Sequence, residues 1–168
     1  MSTVHSEPAE GSGKVAAGNA TVLRSARPSD LAAVLNLLTA ALLPVQGVPE
    51  GFGEGYAVVE HNGVIAGAAG IEIYGRMGLL RSVVVDSVSR STGLARSLLF
   101  DRMAWAESRS LEAVYLLTTI AASYFSRFGF AVIDRKSVPN EIQNSVEFRC
   151  VCPASATVMY LLLSGDGK

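Results

Sequence analysis

Three places in the chain hold residue types that chemistry needs. The first is Arg90-Ser91-Thr92-Gly93-Leu94-Ala95, which joins a nearly unbroken apolar run, Leu79 to Val85, to a stretch with helical spacing. A helix N-terminus presents backbone N–H groups without intrahelical partners, so a phosphate sits well there. The same loop also reads as a plain strand-to-helix turn in which Gly93 supplies the backbone angle, and by itself it does not choose between the two. The second place is Arg81, a charge inside the most apolar run. A buried guanidinium is costly unless paired, so Arg81 either recognises a ligand carboxylate or phosphonate-like group, or closes an ion pair, with Glu72 for instance. The third is Glu72, which interrupts an apolar strand and shares a face with Tyr74 under two-residue alternation. It is either a general base or a residue on the solvated face of an outer strand.

Other reactive types are sparse. Cys150 and Cys152 have a spacing that suits neither a disulfide framework nor a complete zinc site. Two thiols at alternate strand positions read as buried hydrophobes, or as ligands of a soft ion. His61 falls in a turn and His5 in an N-terminal tail, so no metal site is assigned.

The elements that must position these residues follow from periodicity. The chain has 168 residues, 49% of them hydrophobic, which suits one domain with one core. Residues 1–20 mix Ser, Gly, Ala and Glu without a period and read as a flexible tail, as do residues 164–168, leaving a single folded unit over 21–163. Within it, strands are expected at Thr21 to Arg27, Tyr56 to Glu60, Val64 to Tyr74, Leu79 to Val85 and Val114 to Thr118. Phe130 to Ile133 and the stretch Glu147 to Met159 read as extended too. Asn62-Gly63 marks a tight hairpin. Helices are expected after Pro28-Ser29-Asp30, with Leu31, Val34, Leu35, Leu38 and Leu42 on one stripe, and over Leu94 to Ser108, where Arg102 is an awkward member of the apolar face. Shorter ones are expected at Ala122 to Phe128, stopped by Gly129, and at Pro139 to Asn144. This order implies an α/β (α+β) fold, a mixed central sheet of about six to seven strands flanked by helices.

Lys and Arg total 14 against 15 Asp and Glu, so no basic field holds a nucleic acid. The sequence shows no signal peptide and no membrane-length apolar run, and the cysteine usage fits a reducing cytoplasm.

The run Leu79-Leu80-Arg81-Ser82-Val83-Val84-Val85-Asp86, followed by Arg90-x-x-Gly93-x-Ala95, resembles the acetyl-CoA motif of the GNAT superfamily of N-acetyltransferases, and Phe128-Gly129-Phe130 resembles its helix-to-strand junction. Leu80-Arg81-Ser82-Val83, Leu116-Leu117-Thr118-Thr119 and Cys152-Pro153-Ala154-Ser155-Ala156 look like the arsenic-resistance N-acetyltransferases, which acetylate glutamate-like toxic amino acids such as arsinothricin.

The resemblance implies a GNAT fold and acetyl-CoA as co-substrate. The amides of Arg90, Ser91, Thr92, Gly93, Leu94 and Ala95 would hold the pyrophosphate. Val83, Val84 and Val85 would pair with the pantetheine arm, leaving the thioester near Ser82. From its place in the strand Glu72 is the candidate base, directly or through water; the resemblance favours Arg81, with Arg149 as a weaker candidate, as partner of a substrate carboxylate, and Tyr74 and Thr118 fall to the acceptor side. Many relatives carry a tyrosine acid four residues before the junction glycine, where this chain has Phe125; Tyr124 is expected to face elsewhere, since helical neighbours lie about 100° apart. Thr118, Ser123 or water would then protonate the thiolate. The acceptor reads as a small amino-acid-like amine, arsinothricin or phosphinothricin, with a general amino-acid or antibiotic acetyltransferase and a non-catalytic acyl-CoA-binding regulator as alternatives. Apolar surface near the last strands and the relatives' habits point to a homodimer.

Overall fold

Strand after strand in this chain carries apolar residues on both faces, and the fold answers that pattern by covering one sheet from two sides. The structure is a computed structural model and describes residues 20–164 except Cys152, so the tails expected at 1–20 and 164–168 lie outside it apart from Ala20 and Ser164. Strands β1 (Thr21–Ser25), β2 (Tyr56–His61), β3 (Val64–Tyr74), β4 (Met77–Val85), β5 (Ala113–Thr118), β6 (Ala131–Val132) and β7 (Thr157–Leu162) form a seven-stranded sheet in the order β1-β2-β3-β4-β5-β7-β6. Every neighbouring pair is antiparallel except β4 with β5. The sheet is mixed and β4 is its central strand, in keeping with its apolar run.

Helix α1 (Leu31–Ala40) buries Val34 and Leu38 on one face of the sheet, against Tyr56, Val58, Ala68 and Val84. The short helices α2 (Val48–Gly51) and α5 (Asn140–Gln143) lie on that face too, through Val48 and Ile142. Helix α3 (Leu94–Ser108) covers the other face: Leu98 meets Ala57, Val59 and Ala69, while Leu99, Met103 and Ala106 meet Ile71, Leu80, Val114 and Leu116. Burying a leucine such as Leu98 contributes roughly 1.5–3 kcal/mol. Arg102 is buried on the same helix because it donates to the carbonyls of Gly55 (2.9 Å) and Glu54 (3.3 Å) and pairs with Asp101 at 2.7 Å. Helix α4 (Ala122–Ser126) follows β5, and Gly129, with φ of 91°, turns the chain into β6.

Asn62 and Gly63 take φ of 50° and 81°, the pair of left-handed angles expected of the β2–β3 hairpin. A bulge interrupts the β3–β4 ladder: Ala68 faces Val84 and Gly70 faces Arg81, so Ala69 stands against both Ser82 and Val83. Ser82 absorbs the extra residue with φ of 59°. The bulge resets the alternation, so Leu79 and Val84 pack on the same face of the sheet although strict two-residue alternation would put positions 79 and 84 on opposite faces.

Three expectations need correction. Leu42 lies beyond α1 with φ of 57° and is 93% exposed, because the helix has already tightened into a closing turn with Ala41 and Leu42 N–H bonded to Leu37 and Thr39 carbonyls. Glu147–Val151 is a π-helical turn, not a strand. Ser145 Oγ accepts the Phe148 N–H, the Phe148 ring packs with Val138 and Ile142, and the Arg135 guanidinium covers it at 4.6 Å, so the segment folds across the sheet and β7 begins only at Thr157. Cys150 is therefore exposed on that turn, not a buried strand residue, and Cys152 lies outside the described residues.

Candidate active site

Strands β4 and β5 pair only at Met77, Gly78 and Leu79 with Ala113, Val114 and Tyr115. Beyond these residues they diverge, so the β4 backbone after the bulge has no β5 partner, and a cavity of about 420 Å³ opens in the fork. Leu80, Arg81, Ser82 and Val83 line one wall, Leu116 to Thr119 the other, with Tyr124 and Phe125 of α4, Glu147 and Leu42 to Pro44 closing it.

A second cavity of about 790 Å³ lies at the start of α3, lined by Val85, Ser89, Ser91, Gly93, Leu94, Arg96 and Arg127 among others. The loop there is shaped by left-handed residues, Ser91 at φ 66° and Gly93 at φ 83°, by the Ser89 N–H bonded to Asp86 Oδ1 at 2.8 Å, and by the Thr92 hydroxyl donating to the Ser89 carbonyl. Its opening faces the first-turn amides of a 15-residue helix. Nothing lies within 4 Å of where a Gly93 Cβ would stand, so the requirement there is the backbone angle and not space. Ala95 and Tyr124 line both cavities and so join them.

Beside the fork a chain of polar groups links the half-buried Glu72 and Tyr74 to the buried Arg81 and Glu147. Glu72 Oε1 accepts from Arg81 Nη1 at 2.8 Å, and Glu72 Oε2 accepts from the Tyr74 hydroxyl at 2.8 Å. Arg81 Nη2 donates to the Gln46 carbonyl at 2.7 Å, and its Nε stands 3.6 Å from Glu147 Oε2. The Gly47 turn closes over the guanidinium, where an added Cβ would come within 3.2 Å of Nη1. Burial opposes the charge of Arg81, but Glu147 and Glu72 more than offset it and the proton is held more tightly than in water. Burial, reinforced by the bond to Glu72, pushes the Tyr74 phenol well above its ordinary range. Tyr56 is fully buried, with its hydroxyl 3.4 Å from Ser82 Oγ and its proton likewise held by desolvation.

Comparison with known families matches residues 39–130, more than half the chain, to the model of the acetyltransferase (GNAT) family. The chain belongs to the GNAT acetyltransferase family. It is an acetyl-CoA-dependent enzyme, and solved GNAT neighbours hold CoA. Rv2747 of Mycobacterium tuberculosis, in complex with CoA and NLQ, superposes with a TM-score of 0.71 at 23% identity over 84% of this chain and 99% of its own. N-acetylglutamate synthase from Neisseria gonorrhoeae, complexed with coenzyme A and L-arginine, gives 0.73 at 16% identity over 86% of this chain, which spans 33% of that longer one. The ribosomal-protein-S18-alanine N-acetyltransferase from Escherichia coli gives 0.69 at 20% identity, covering 89% of this chain and 97% of its own. At these identities the structural likeness speaks for the fold alone. No curated protein matches the chain by sequence.

Set against the GNAT scaffold, the residues singled out in the sequence divide into groups. Arg81, Ser82, Val83, Thr118 and Phe125 line the fork. Val85, Ser91, Gly93, Leu94 and Ala95 line the cavity at α3, while Arg90 and Thr92 are exposed on its loop. Val84 turns into the core beneath α1. Glu72 and Tyr74 line a separate hollow of about 330 Å³ with Gly51, Glu54 and Trp105, so Arg81 and not Glu72 fronts the fork. Arg149 is exposed on the π-helical turn and lines none of these cavities.

Tyr124 needs correcting, since it faces the cavities. Phe125 enters the core against Phe130, 5.9 Å away, and the 100° step between neighbours leaves Tyr124 on the cavity wall, 5.0 Å from Phe128. Tyr56 and Glu147 join the site without a signal in the sequence. Glu147 sits between Val146 and Phe148 in a segment of mixed polarity, so no local pattern marks it. Among the described residues no cluster of His, Cys, Asp or Glu could hold a metal ion, and no helix is long and apolar enough to cross a membrane.

Proposed function

We propose that this GNAT enzyme acetylates the primary amine of a small molecule, with both substrates bound in one continuous channel through the β4–β5 fork. The observation that carries the reading is the junction at Ala95 and Tyr124, where a cavity suited to phosphate meets a mostly apolar cavity lined by hydroxyls and one carboxylate. The residues present fit acetyl-CoA. First-turn amides of α3, with Arg96 and Arg127 nearby, would hold the pyrophosphate, and the unpaired edge of β4 from Val83 to Val85 would receive the pantetheine arm as an added strand.

Acetyl-CoA supplies an activated acyl carbon, so the protein need form no covalent intermediate of its own. The protein's tasks are to orient the amine, remove its proton and protonate the departing thiolate. Glu72 is the proposed base. Because Arg81 separates it from the fork, it acts through water. Tyr124, whose phenol borders both cavities, is the proposed proton donor to the thiolate. In balance, the ammonium loses two protons and gains an acetyl group, one proton going to the thiolate and one to solvent.

A second reading takes a glutamate-like acceptor, arsinothricin or phosphinothricin included, and with it a role in arsenic resistance. It rests on the resemblance to the arsenic-resistance enzymes and on the N-acetylglutamate synthase neighbour. Arg81 would have to receive the carboxylate by giving up a bond to Glu72 or Gln46. A cytoplasmic homodimer belongs to the same proposal; exposed Val132 and Leu162 at the β6–β7 end of the sheet support the dimer. Gel filtration with light scattering tests it, and a monomer mass overturns it. The activity is tested by release of CoA thiol from acetyl-CoA with a panel of amines. Turnover that requires an amine supports the enzyme, whereas acetyl-CoA binding without turnover supports a non-catalytic acyl-CoA sensor.

A further inference from the structure

We infer that the acceptor end of the fork takes an ammonium carried on an apolar body and bearing no carboxylate beside the nitrogen, with Glu147 as its anchoring group; this rests on the acetyltransferase reading above. Arg81 and Glu147 are the two charged side chains lining that cavity. Arg81 is sealed: its side chain is 2% exposed beneath the Gly47 turn, Nη1 and Nη2 donate to Glu72 and the Gln46 carbonyl, and Nε is buried 3.6 Å from Glu147 Oε2 as an ion pair and not a hydrogen bond. Two carboxylates, Glu72 and Glu147, already stand against this one guanidinium. An acceptor carboxylate entering the cavity brings a third. It would have to strip a partner from a buried cation and leave a buried acid behind, which costs more than the new pair returns.

A primary ammonium meets the opposite situation. It carries three donors and no acceptor, while a carboxylate offers about four acceptor sites on two oxygens, so an ammonium can join Glu147 without displacing Arg81. Ser82, Thr118 and Tyr124 add hydroxyls nearby. The remaining wall is apolar, from Leu43 and Pro44 at the mouth to Leu80 and Leu117 inside. Leu42, 93% exposed at that mouth, extends the apolar surface outward. Such walls reward an alkyl or arylalkyl group and offer nothing to a second charge.

The test measures CoA thiol release by the full chain at fixed acetyl-CoA, with hexylamine and phenethylamine against glutamate and phosphinothricin. Wild type is expected to favour the apolar amines by tenfold or more in kcat/KM. Glu147→Gln is expected to raise their KM at least tenfold while the Kd for acetyl-CoA, measured by titration calorimetry, stays within twofold. Glu147→Asp is expected to recover part of the loss. Preference for glutamate or phosphinothricin overturns the inference and leaves the acetyltransferase reading standing, as does an unchanged KM in a folded Glu147→Gln. Acetyl-CoA binding with no turnover on any amine overturns both. The wild-type panel decides the matter even where the Glu147 variants do not fold.

Discussion

The two ends of the channel are built from different materials. At the α3 end, the proposed recognition rests on backbone: Gly93 and Ser91 in left-handed conformations, the first-turn amides of α3, and the free edge of β4 past Leu79. At the proposed acceptor end it rests on the Arg81 side chain, which draws in Glu72, the Gln46 carbonyl and Glu147 from three separate segments, with Tyr74 completing the set. A backbone site tolerates almost any side chain that leaves the approach open, whereas a side-chain site fails when one member is lost. Cofactor binding and acceptor binding should therefore respond to different kinds of mutation.

The largest expected effect is on the side-chain end. Arg81→Ala leaves the buried Glu147 and the half-buried Glu72 without their shared cation, which destabilises by about 3–5 kcal/mol and lowers Tm by roughly 10 °C in a thermal melt. A Tm change under 2 °C would show that the two ends do not differ as described. Next comes Ala95→Trp, which fills the junction of the cavities from a half-buried helix surface position. Calorimetric titration should show acetyl-CoA affinity falling about 30-fold, with Tm nearly unchanged. A smaller effect belongs to Tyr124→Phe: kcat should fall about tenfold, less than general acids often supply because a thiolate leaves readily, with the Kd for acetyl-CoA unaltered. An unchanged kcat would return the proton-donor role to Thr118, Ser123 or water.

The smallest effect lies outside both ends and sharpens the contrast. Arg24 holds Asp30 at 2.7 Å, with Glu60 on its other side at 2.9 Å. The hydrogen bond from Arg24 outweighs burial and keeps the Asp30 carboxyl below its ordinary value. A depressed folded-state pKa stabilises above the unfolded value, near 3.9, and that stabilisation is lost as pH falls through the lowered one. Asp30→Asn should lower Tm by a few degrees at neutral pH and make the acid limb of the Tm-versus-pH curve shallower below about pH 4. Acetyl-CoA affinity should not move.

The same contrast explains what could be read from the sequence. Local signals did well: Asn62-Gly63 marks the hairpin, and α3 spans Leu94–Ser108 as its periodicity predicts. The loop around Gly93 stands out because a turn requirement is visible in neighbouring residues. The acceptor end depends on groups far apart in sequence, and Glu147 reaches Arg81 only because its segment winds as a π turn instead of pairing as a strand. No short-range pattern announces that winding. The orientation of Tyr124 is hidden for a related reason: a five-residue helix has no long stripe to orient it, so packing of Phe125 into the core decides which neighbour meets the channel.

Stoichiometry shows whether one channel carries acetyl from the α3 side to an amine in the β4–β5 fork. CoA thiol and N-acetylated amine should be measured together in wild type and Ala95→Trp. Equal molar amounts of both are expected in wild type, with parallel loss of both in the variant at subsaturating acetyl-CoA. Thiol release without acetylated amine, or full activity in Ala95→Trp, would contradict a single channel.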